Sequence, residues 1–134
     1  MKQTKDYREA IYFELGYDLR LRGRVIMPAK IVALYKKPQN PQEFEKKYYD
    51  EHVPLVNRMP GVQHWEIAKF DGSHNGEEPY YMVVELYYEN MDALKASLDS
   101  KEGKEAGDHI MTFAKDILTI TFAEVKNTYA LVKK

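Results

Sequence analysis

Four segments of the chain have the residue pattern of β-strands. They are residues 30–36, 62–70, 80–88 and 118–125, and each is rich in β-branched and aromatic side chains. Turn-forming residues are densest at 71–79, where Asp-Gly-Ser-His-Asn-Gly-Glu-Glu-Pro predicts a long hairpin connection. The pattern therefore predicts a four-stranded sheet whose second and third strands are joined by a hairpin.

A helix is predicted between the first and second strands. Asn40 is a good N-cap, Pro41 suits the first helical position, and Glu43 stands where a capping box places its carboxylate. Pro54 is expected to end the helix, because the residue before a proline is disfavoured in the α conformation. A chain reversal is expected at residues 60–61, where Pro-Gly precedes the second strand.

One face of this helix carries an ionisable residue. Phe44, Tyr48 and His52 recur every four positions and therefore share a face, with Tyr49 at its edge. The pattern places the imidazole in the last turn of the helix, on the inward-facing stripe. There the helix C-terminus favours the charged imidazolium, whereas burial opposes it.

A second helical region is predicted before the fourth strand. Asn90 is its N-cap, and an apolar stripe follows the cap at spacings of three and four residues. A further helical segment is expected over 101–114, interrupted or weakened by Gly103 and Gly107. The resulting order βαββαβ predicts an α+β, ferredoxin-like fold, with an antiparallel sheet and helices on one face.

Strand alternation assigns residues of the first three strands to two faces. One set is wholly apolar and is predicted to lie under the helices: Val32, Leu34, Trp65, Ile67, Met82, Val84 and Leu86. The other set mixes aromatic and charged residues: Ile31, Ala33, Tyr35, His64, Glu66, Ala68, Phe70, Tyr81, Val83, Glu85 and Tyr87. This second face is too apolar to be left in water, which predicts that a second copy of the sheet covers it in a homodimer.

The chain is predicted to hold one folded domain, residues 27–134, after an amino-terminal extension, residues 1–26. Helical spacing in the extension predicts a short helix that Gly16 would end, followed by an extended arm with alternating arginines. The extension is interpreted as a leader, added sequence or a genuine arm. At the other end, residues 129–132 form a short β-prone run that could add a strand or reach a partner.

Composition excludes several function classes. The 134 residues carry a net charge of −1 with both signs interspersed, so no basic surface for nucleic acid is expected. The chain has no cysteine, which excludes thiolate chemistry and favours a reducing, cytoplasmic location. No stretch approaches the ~20 apolar residues that span a bilayer, so no membrane association is expected. Most of the eleven tyrosines are interpreted as half-buried strand or interface residues.

The first candidate site lies between sheet and helices. His52 can act as general acid or base near neutral pH, and the Tyr48 phenol one turn away can orient a substrate oxygen. The predicted substrate-binding residues are aromatic and surround this pair: Phe44, Trp65, Tyr80 and Phe113. The alternative interpretation is structural, with His52 capping the last helix carbonyls and packing under Phe44.

A second candidate site lies on the opposite face of the sheet. His64, Glu66 and Glu85 share a strand face there, an ordinary ligand set for a divalent ion, although the two carboxylates are more simply paired with lysine or arginine, such as Arg58. His74 is interpreted as solvated and His109 as a surface or capping residue. No metal or cofactor is predicted, and phosphate-loop, nucleophile-elbow and zinc motifs are absent, which disfavours a nucleotide enzyme.

The segment Tyr-Tyr-Asp-Glu-His-Val-Pro-Leu at residues 48–55 resembles the signature of EthD-domain proteins, in which an opening strand and a Phe-bearing helix lead to a His-x-Pro-Leu run. The resemblance covers about residues 28–125, and also includes Pro-Gly-Val at 60–62 and Asp108 four residues before Thr112-Phe113. It implies a dimeric α+β barrel, and the relatives include cyclases, isomerases and cofactor-free monooxygenases.

Pattern and resemblance together predict a cofactor-free enzyme of catabolism or secondary metabolism. Its substrate would be a small hydrophobic, oxygenated compound, with His52 as general acid or base and Tyr48 assisting. Heme is disfavoured because no further axial-ligand signal accompanies His52. Two alternatives stay open, namely a non-catalytic dimeric ligand-binding or accessory protein, and a cofactor-free monooxygenase.

Overall fold

The computed structural model describes residues 17–18, 24–25, 27–129 and 131. Within the extension, β1 (Tyr17–Asp18) pairs antiparallel with β2 (Arg24–Val25), with Tyr17 opposite Val25. The helix predicted before Gly16 lies outside the described residues. In the described part of the β-prone run near the carboxyl terminus, Tyr129 and Leu131 are not in a strand and are strongly exposed.

The main sheet has four strands, as predicted. They are β3 (Ala29–Tyr35), β4 (His64–Lys69), β5 (Met82–Tyr88) and β6 (Leu118–Glu124). Their order is β4-β5-β3-β6 and every neighbouring pair is antiparallel, which is the ferredoxin-like arrangement predicted from the element order. The central strands β3 and β5 alternate buried and half-buried residues along their whole length, because helices cover only one face.

The helix after β3 begins where the sequence predicts and ends later than predicted. α1 (Pro41–Lys47) is capped by Asn40, whose Oδ1 accepts the backbone N–H of Glu43 at 3.1 Å. A π-helical segment (Tyr48–His52) and α2 (Val53–Val56) continue it. The prediction that Pro54 ends the helix was wrong, because the π-helical turn places Pro54 at the start of a new helical segment, where a missing N–H costs no hydrogen bond.

Two helices connect β5 to β6. α3 (Met91–Asp99) is capped by Asn90 and α4 (Lys101–Ala114) by Ser100. The predicted interruption of α4 by its glycines does not occur. Gly103 instead permits a close approach, since a Cβ there would lie 2.0 Å from the carbonyl oxygen of Ser97 in α3.

The face assignment of β3 was wrong, whereas that of β4 and β5 was right. Register places three β3 residues opposite the buried residues of β5: Ile31 faces Leu86, Ala33 faces Val84 and Tyr35 faces Met82. Directly opposed residues share a face of a sheet, so this β3 set lies under the helices, and Val32 and Leu34 lie on the open face. The alternation was ambiguous here because both faces of β3 are apolar.

The core lies between the sheet and the helices, and an aromatic cluster occupies one end of it. The members of this aromatic cluster contact one another with ring centroids 5.0–6.5 Å apart: Tyr35, Phe44, Tyr48, His52, His109 and Phe113. In the part of the chain that the structure describes, no helix has the length and apolar character needed to cross a membrane.

Candidate functional site

A small cavity lies beside the aromatic cluster, between sheet and helices. Its volume is about 80 Å³, and most of its lining is aliphatic, including Ile31, Ala33 and Val84 from the sheet and Val56 and Ile110 from the helices. Three polar side chains complete the lining: Tyr35, Tyr48 and His52. The cavity therefore combines an apolar wall with one imidazole and two phenols.

The imidazole of His52 is held in a fixed position by its neighbours. The residue is 5% exposed, and its ring contacts Tyr48 at 5.0 Å between centroids. Its Nδ1 edge meets His109, whose ring is nearly coplanar with it, at 5.3 Å between centroids and an interplanar angle of 11°. Burial, and secondarily the charge of His109, lower the pKa of His52 to about 4. The predicted position of His52 in the last helical turn was wrong, because the helix continues to Val56. Burial determines the charge of the ring, and the imidazole is neutral at neutral pH.

His109 connects this buried ring to the surface. Its Nδ1 lies 3.1 Å from Nδ1 of His52, and its Nε2 lies 3.3 Å from Oε1 of Glu51. The surface or capping position predicted for His109 was wrong, because α4 turns this side chain towards the π-helical segment. A signal existed, since His109 precedes Phe113 by four residues and Phe113 was predicted to line the site.

The two phenols of the cavity are fully buried. Tyr35 is 2% exposed and Tyr48 is 1% exposed, with their rings edge to face at 5.8 Å. Burial raises the pKa of Tyr35 to about 12 and raises the pKa of Tyr48 as well. Both phenols are therefore neutral and can donate a hydrogen bond. Sequence reasoning missed Tyr35 because it assigned that side chain to the open face of the sheet.

The other predicted site residues fall into two groups. Phe44 and Phe113 are 5.6 Å apart, contact Tyr48 and His52 respectively, and border a separate surface cleft of about 620 Å³. Trp65 does not line the 80 Å³ cavity, and its Nε1 donates to Oδ1 of Asn57 at 2.9 Å.

Tyr80, like Trp65, lies outside the 80 Å³ cavity. It is 36% exposed, and its ring centroid lies 6.1 Å from that of Phe70, where the hairpin connection joins β4 and β5. It borders neither the cavity nor the cleft. We take the smaller cavity as the candidate site, because the imidazole of His52 and the phenols of Tyr35 and Tyr48 line it and do not line the larger cleft.

The open face of the sheet carries the second set of candidate residues. Glu66 lies directly opposite Glu85, and Nζ of Lys30 lies 2.9 Å from Oε1 of Glu85. His64 stacks on Tyr87 at 4.3 Å instead of approaching the carboxylates. No cluster of three His, Asp or Glu residues suited to a metal occurs among the described residues.

The predicted pairing of Glu85 with a cation is present, and Lys30 is the cation. Arg58, which was proposed for that role, instead approaches Oε1 of Glu105 at 4.0 Å. The described contacts of the open face are therefore an ion pair and a stacked histidine, whereas the buried imidazole of His52 lies on the helix side of the sheet.

Comparison with known proteins agrees with the fold and the resemblance. A curated relative, an uncharacterized 11.0 kDa protein of Rhodococcus erythropolis from the thcB-thcC intergenic region, is 27% identical over 95 residues, or 71% of this chain and 92% of that protein. A crystal structure of an EthD family protein from Bacillus halodurans is 33% identical and superposes with a TM-score of 0.69, covering 72% of this chain and 97% of the other.

A more distant structure shares the fold only. The hydroxynitrile lyase of Passiflora edulis is 13% identical and superposes with a TM-score of 0.61, covering 78% of this chain and 98% of the lyase. The family model for the EthD domain matches residues 36–116, which is more than half of the chain and includes both His52 and His109. The chain belongs to the EthD domain family.

Proposed function

We propose that the protein is a cofactor-free enzyme that performs acid–base chemistry on a small hydrophobic, oxygenated compound. The observation that carries the proposal is a neutral imidazole, His52, lining an apolar cavity beside two neutral phenols. A neutral imidazole can accept a proton from a substrate carbon or hydroxyl, and a neutral phenol can donate to the oxygen on which negative charge develops.

The roles divide between the imidazole and the phenols. His52 removes or returns the proton, and Tyr48 with Tyr35 binds the substrate oxygen. One positioned acid–base group contributes roughly 10²–10⁴-fold, which suits enolisation, ring closure, isomerisation or elimination of an already activated substrate. The hydroxynitrile lyase that shares this fold supports the proposal, since an acid–base reaction on a small molecule is compatible with the architecture.

The size of the cavity constrains the substrate. A volume of about 80 Å³ is smaller than the ~300 Å³ of an ordinary ligand pocket, so a substrate larger than a few heavy atoms must displace side chains. Phe44 and Phe113 border the outer cleft and contact the residues of the inner cavity. Rotation of Phe113 is the simplest movement that would join the two spaces.

The proposal includes a homodimer formed through the open face of the sheet. Val32, Leu34 and Val83 give this face an apolar centre. Light scattering should give twice the mass of one chain. Val83→Lys should give a monomer, whereas the same change in the exposed hairpin, Ser73→Lys, should not. A monomeric wild-type protein would contradict the dimer. The predicted cytoplasmic location stays a prediction.

Catalysis is tested with α-deuterated ketones, lactones and cyanohydrins of fewer than about ten heavy atoms. Proton exchange or turnover is followed by NMR, and binding by calorimetry. His52→Ala should lower turnover at least about 100-fold while largely keeping binding, and Tyr48→Phe should have a smaller effect. His74→Ala, in the exposed hairpin, is the matched control.

The alternative is a dimeric binding protein. It predicts that ligands bind without turnover and that His52→Ala alters little beyond stability. Turnover that survives His52→Ala would overturn the assigned role of the imidazole.

A further inference from the structure

Three ionisable side chains form a continuous path from the protein surface to the cavity. The side chain of Glu51 is 55% exposed, that of His109 is 19% exposed, and His52 is buried. Each group contacts the next through a nitrogen or oxygen atom, at 3.3 Å and 3.1 Å. Glu51 and His52 are neighbours in the π-helical segment, and His109 comes from α4.

The contact between the two imidazoles has a specific protonation requirement. Two Nδ1 atoms 3.1 Å apart form a hydrogen bond only if one carries a proton and the other presents a lone pair. Two protons would repel, and two lone pairs would leave the contact without a bond. A neutral imidazole also carries only one proton, so the state of Nδ1 determines the state of Nε2 on the same ring.

Glu51 fixes a proton on Nε2 of His109, and the charge of His109 then determines which ring donates between the two Nδ1 atoms. Its carboxylate accepts only, so Nε2 of His109 carries a proton when the two are bonded. If His109 is neutral, its Nδ1 is bare, His52 donates from Nδ1, and Nε2 of His52 is a base. If His109 is an imidazolium, it donates from Nδ1, and Nε2 of a neutral His52 carries a proton and is an acid.

We propose that His109 and Glu51 are positioning residues that form a proton relay and select the base or acid form of His52. The inference rests on the proposed role of His52. In the forward direction, a substrate proton binds Nε2 of His52 while the Nδ1 proton of His52 passes to Nδ1 of His109. His109 becomes an imidazolium beside the Glu51 carboxylate, and the negative charge stays on the substrate. The reverse transfers return the proton, and no oxidation or reduction occurs.

The relay explains how a buried imidazole can accept and release a proton without holding a positive charge. The positive charge that His52 would hold in an apolar cavity is transferred to His109, which is less buried and lies beside a carboxylate. In the described part of the chain, the other titratable groups joined to this pair by ring contacts are three phenols and one ammonium: Tyr48 contacts His52, Tyr35 and Tyr49 contact Tyr48, and Lys47 lies over Phe113, which contacts both imidazoles. Among the described residues, Glu51 is the carboxylate that contacts either ring.

The relay is tested by ¹⁵N NMR of protein labelled at histidine, which reports the tautomer of each ring without substrate. At pH 8, His52 should carry its proton on Nδ1. As the pH falls, it should change to the Nε2–H tautomer while staying neutral, at the pH where His109 becomes charged. His109→Asn and His109→Gln should abolish this change. Glu51→Gln, at an exposed position, should move its midpoint to lower pH. His74→Asn should alter nothing.

The kinetics of the proposed reaction provide a second test of the relay. Glu51→Gln and His109→Gln should lower kcat about tenfold or more with little change in KM, and should shift the acidic limb of the pH profile of kcat. A His52 tautomer that does not change with pH, or that still changes in His109→Asn, overturns the relay. The NMR result needs no turnover, so failure of the relay and failure of the proposed enzyme are separately visible.

Discussion

Acidification should destabilise the protein through His52 in a pH range where an exposed histidine would have no such effect. The pKa of His52 is about 4 in the folded protein and 6.5 in the unfolded chain. As pH falls below 6.5 the unfolded chain therefore binds this proton first, and each further decrease favours unfolding. The stabilisation is fully present above pH 6.5 and is lost progressively as pH falls through about 4.

The magnitude follows from these two pKa values. Proton linkage at this one site lowers the free energy of unfolding by about 2 kcal/mol at pH 5 and about 3 kcal/mol at pH 4. A single domain of this size has a total stability of roughly 5–15 kcal/mol, so the effect is a substantial fraction of the whole.

Urea unfolding followed by circular dichroism at several pH values measures the effect, with His52→Asn as the reference. The asparagine does not titrate, yet its side chain can still hydrogen bond with Nδ1 of His109. It should be less stable than the wild type at pH 8, because the larger imidazole fills its site better. The difference should shrink by about 2 kcal/mol at pH 5.

Carboxylates titrate in the same acid range, but they do so in both proteins and cancel in the difference. His74→Asn removes an exposed histidine from the hairpin and should follow the wild-type pH profile in parallel. A constant difference between wild type and His52→Asn from pH 8 to pH 4.5 would refute the reasoning. It would mean that burial does not hold His52 neutral. No relay would then be needed to keep positive charge off this ring.

Three further predictions concern the scaffold that holds the site, and all use urea unfolding. Gly103→Ala should cost about 2 kcal/mol or more, because its Cβ would meet the Ser97 carbonyl oxygen at 2.0 Å, whereas Gly107→Ala has open space and should gain up to about 1 kcal/mol; equal effects would contradict the close approach. Ser97→Ala should cost about 1–2 kcal/mol, since it removes the 2.9 Å hydrogen bond from the buried Tyr88 hydroxyl, and an unchanged midpoint would contradict this. Asn40→Ala should cost about 1 kcal/mol by removing the α1 cap, and an effect below 0.3 kcal/mol would show that the cap is unimportant.

The features that the sequence predicted correctly depend on local chemistry. Strand boundaries agree to within about two residues, because β-branched content and turn residues act over a few positions. Asn40 and Asn90 cap their helices as predicted, because a cap needs only a side chain and an N–H group three residues away. The inward position of His52 also followed from local spacing with Phe44 and Tyr48.

The errors have a common physical origin in contacts between distant residues. The face assignment of β3 failed because its alternation was ambiguous and only its register with β5, some 50 residues away, resolves it. The predicted interruption of α4 failed because Gly103 lies in the first turn of the helix, where its lack of a Cβ permits the close approach of α3. His109 was missed because its contact with His52 joins residues 57 positions apart.

These long-range contacts are also what gives the site its chemistry. An isolated helix bearing His52 would expose an imidazole of ordinary pKa, able to act as acid or base alone. Burial against β3 and α4 lowers that pKa to about 4, so the ring cannot retain a proton at neutral pH without help. The same packing brings His109 and Glu51 to the ring and provides a place for the charge that burial excludes. The group that reacts and the groups that control its protonation therefore arise from different parts of the chain, and only the fold joins them.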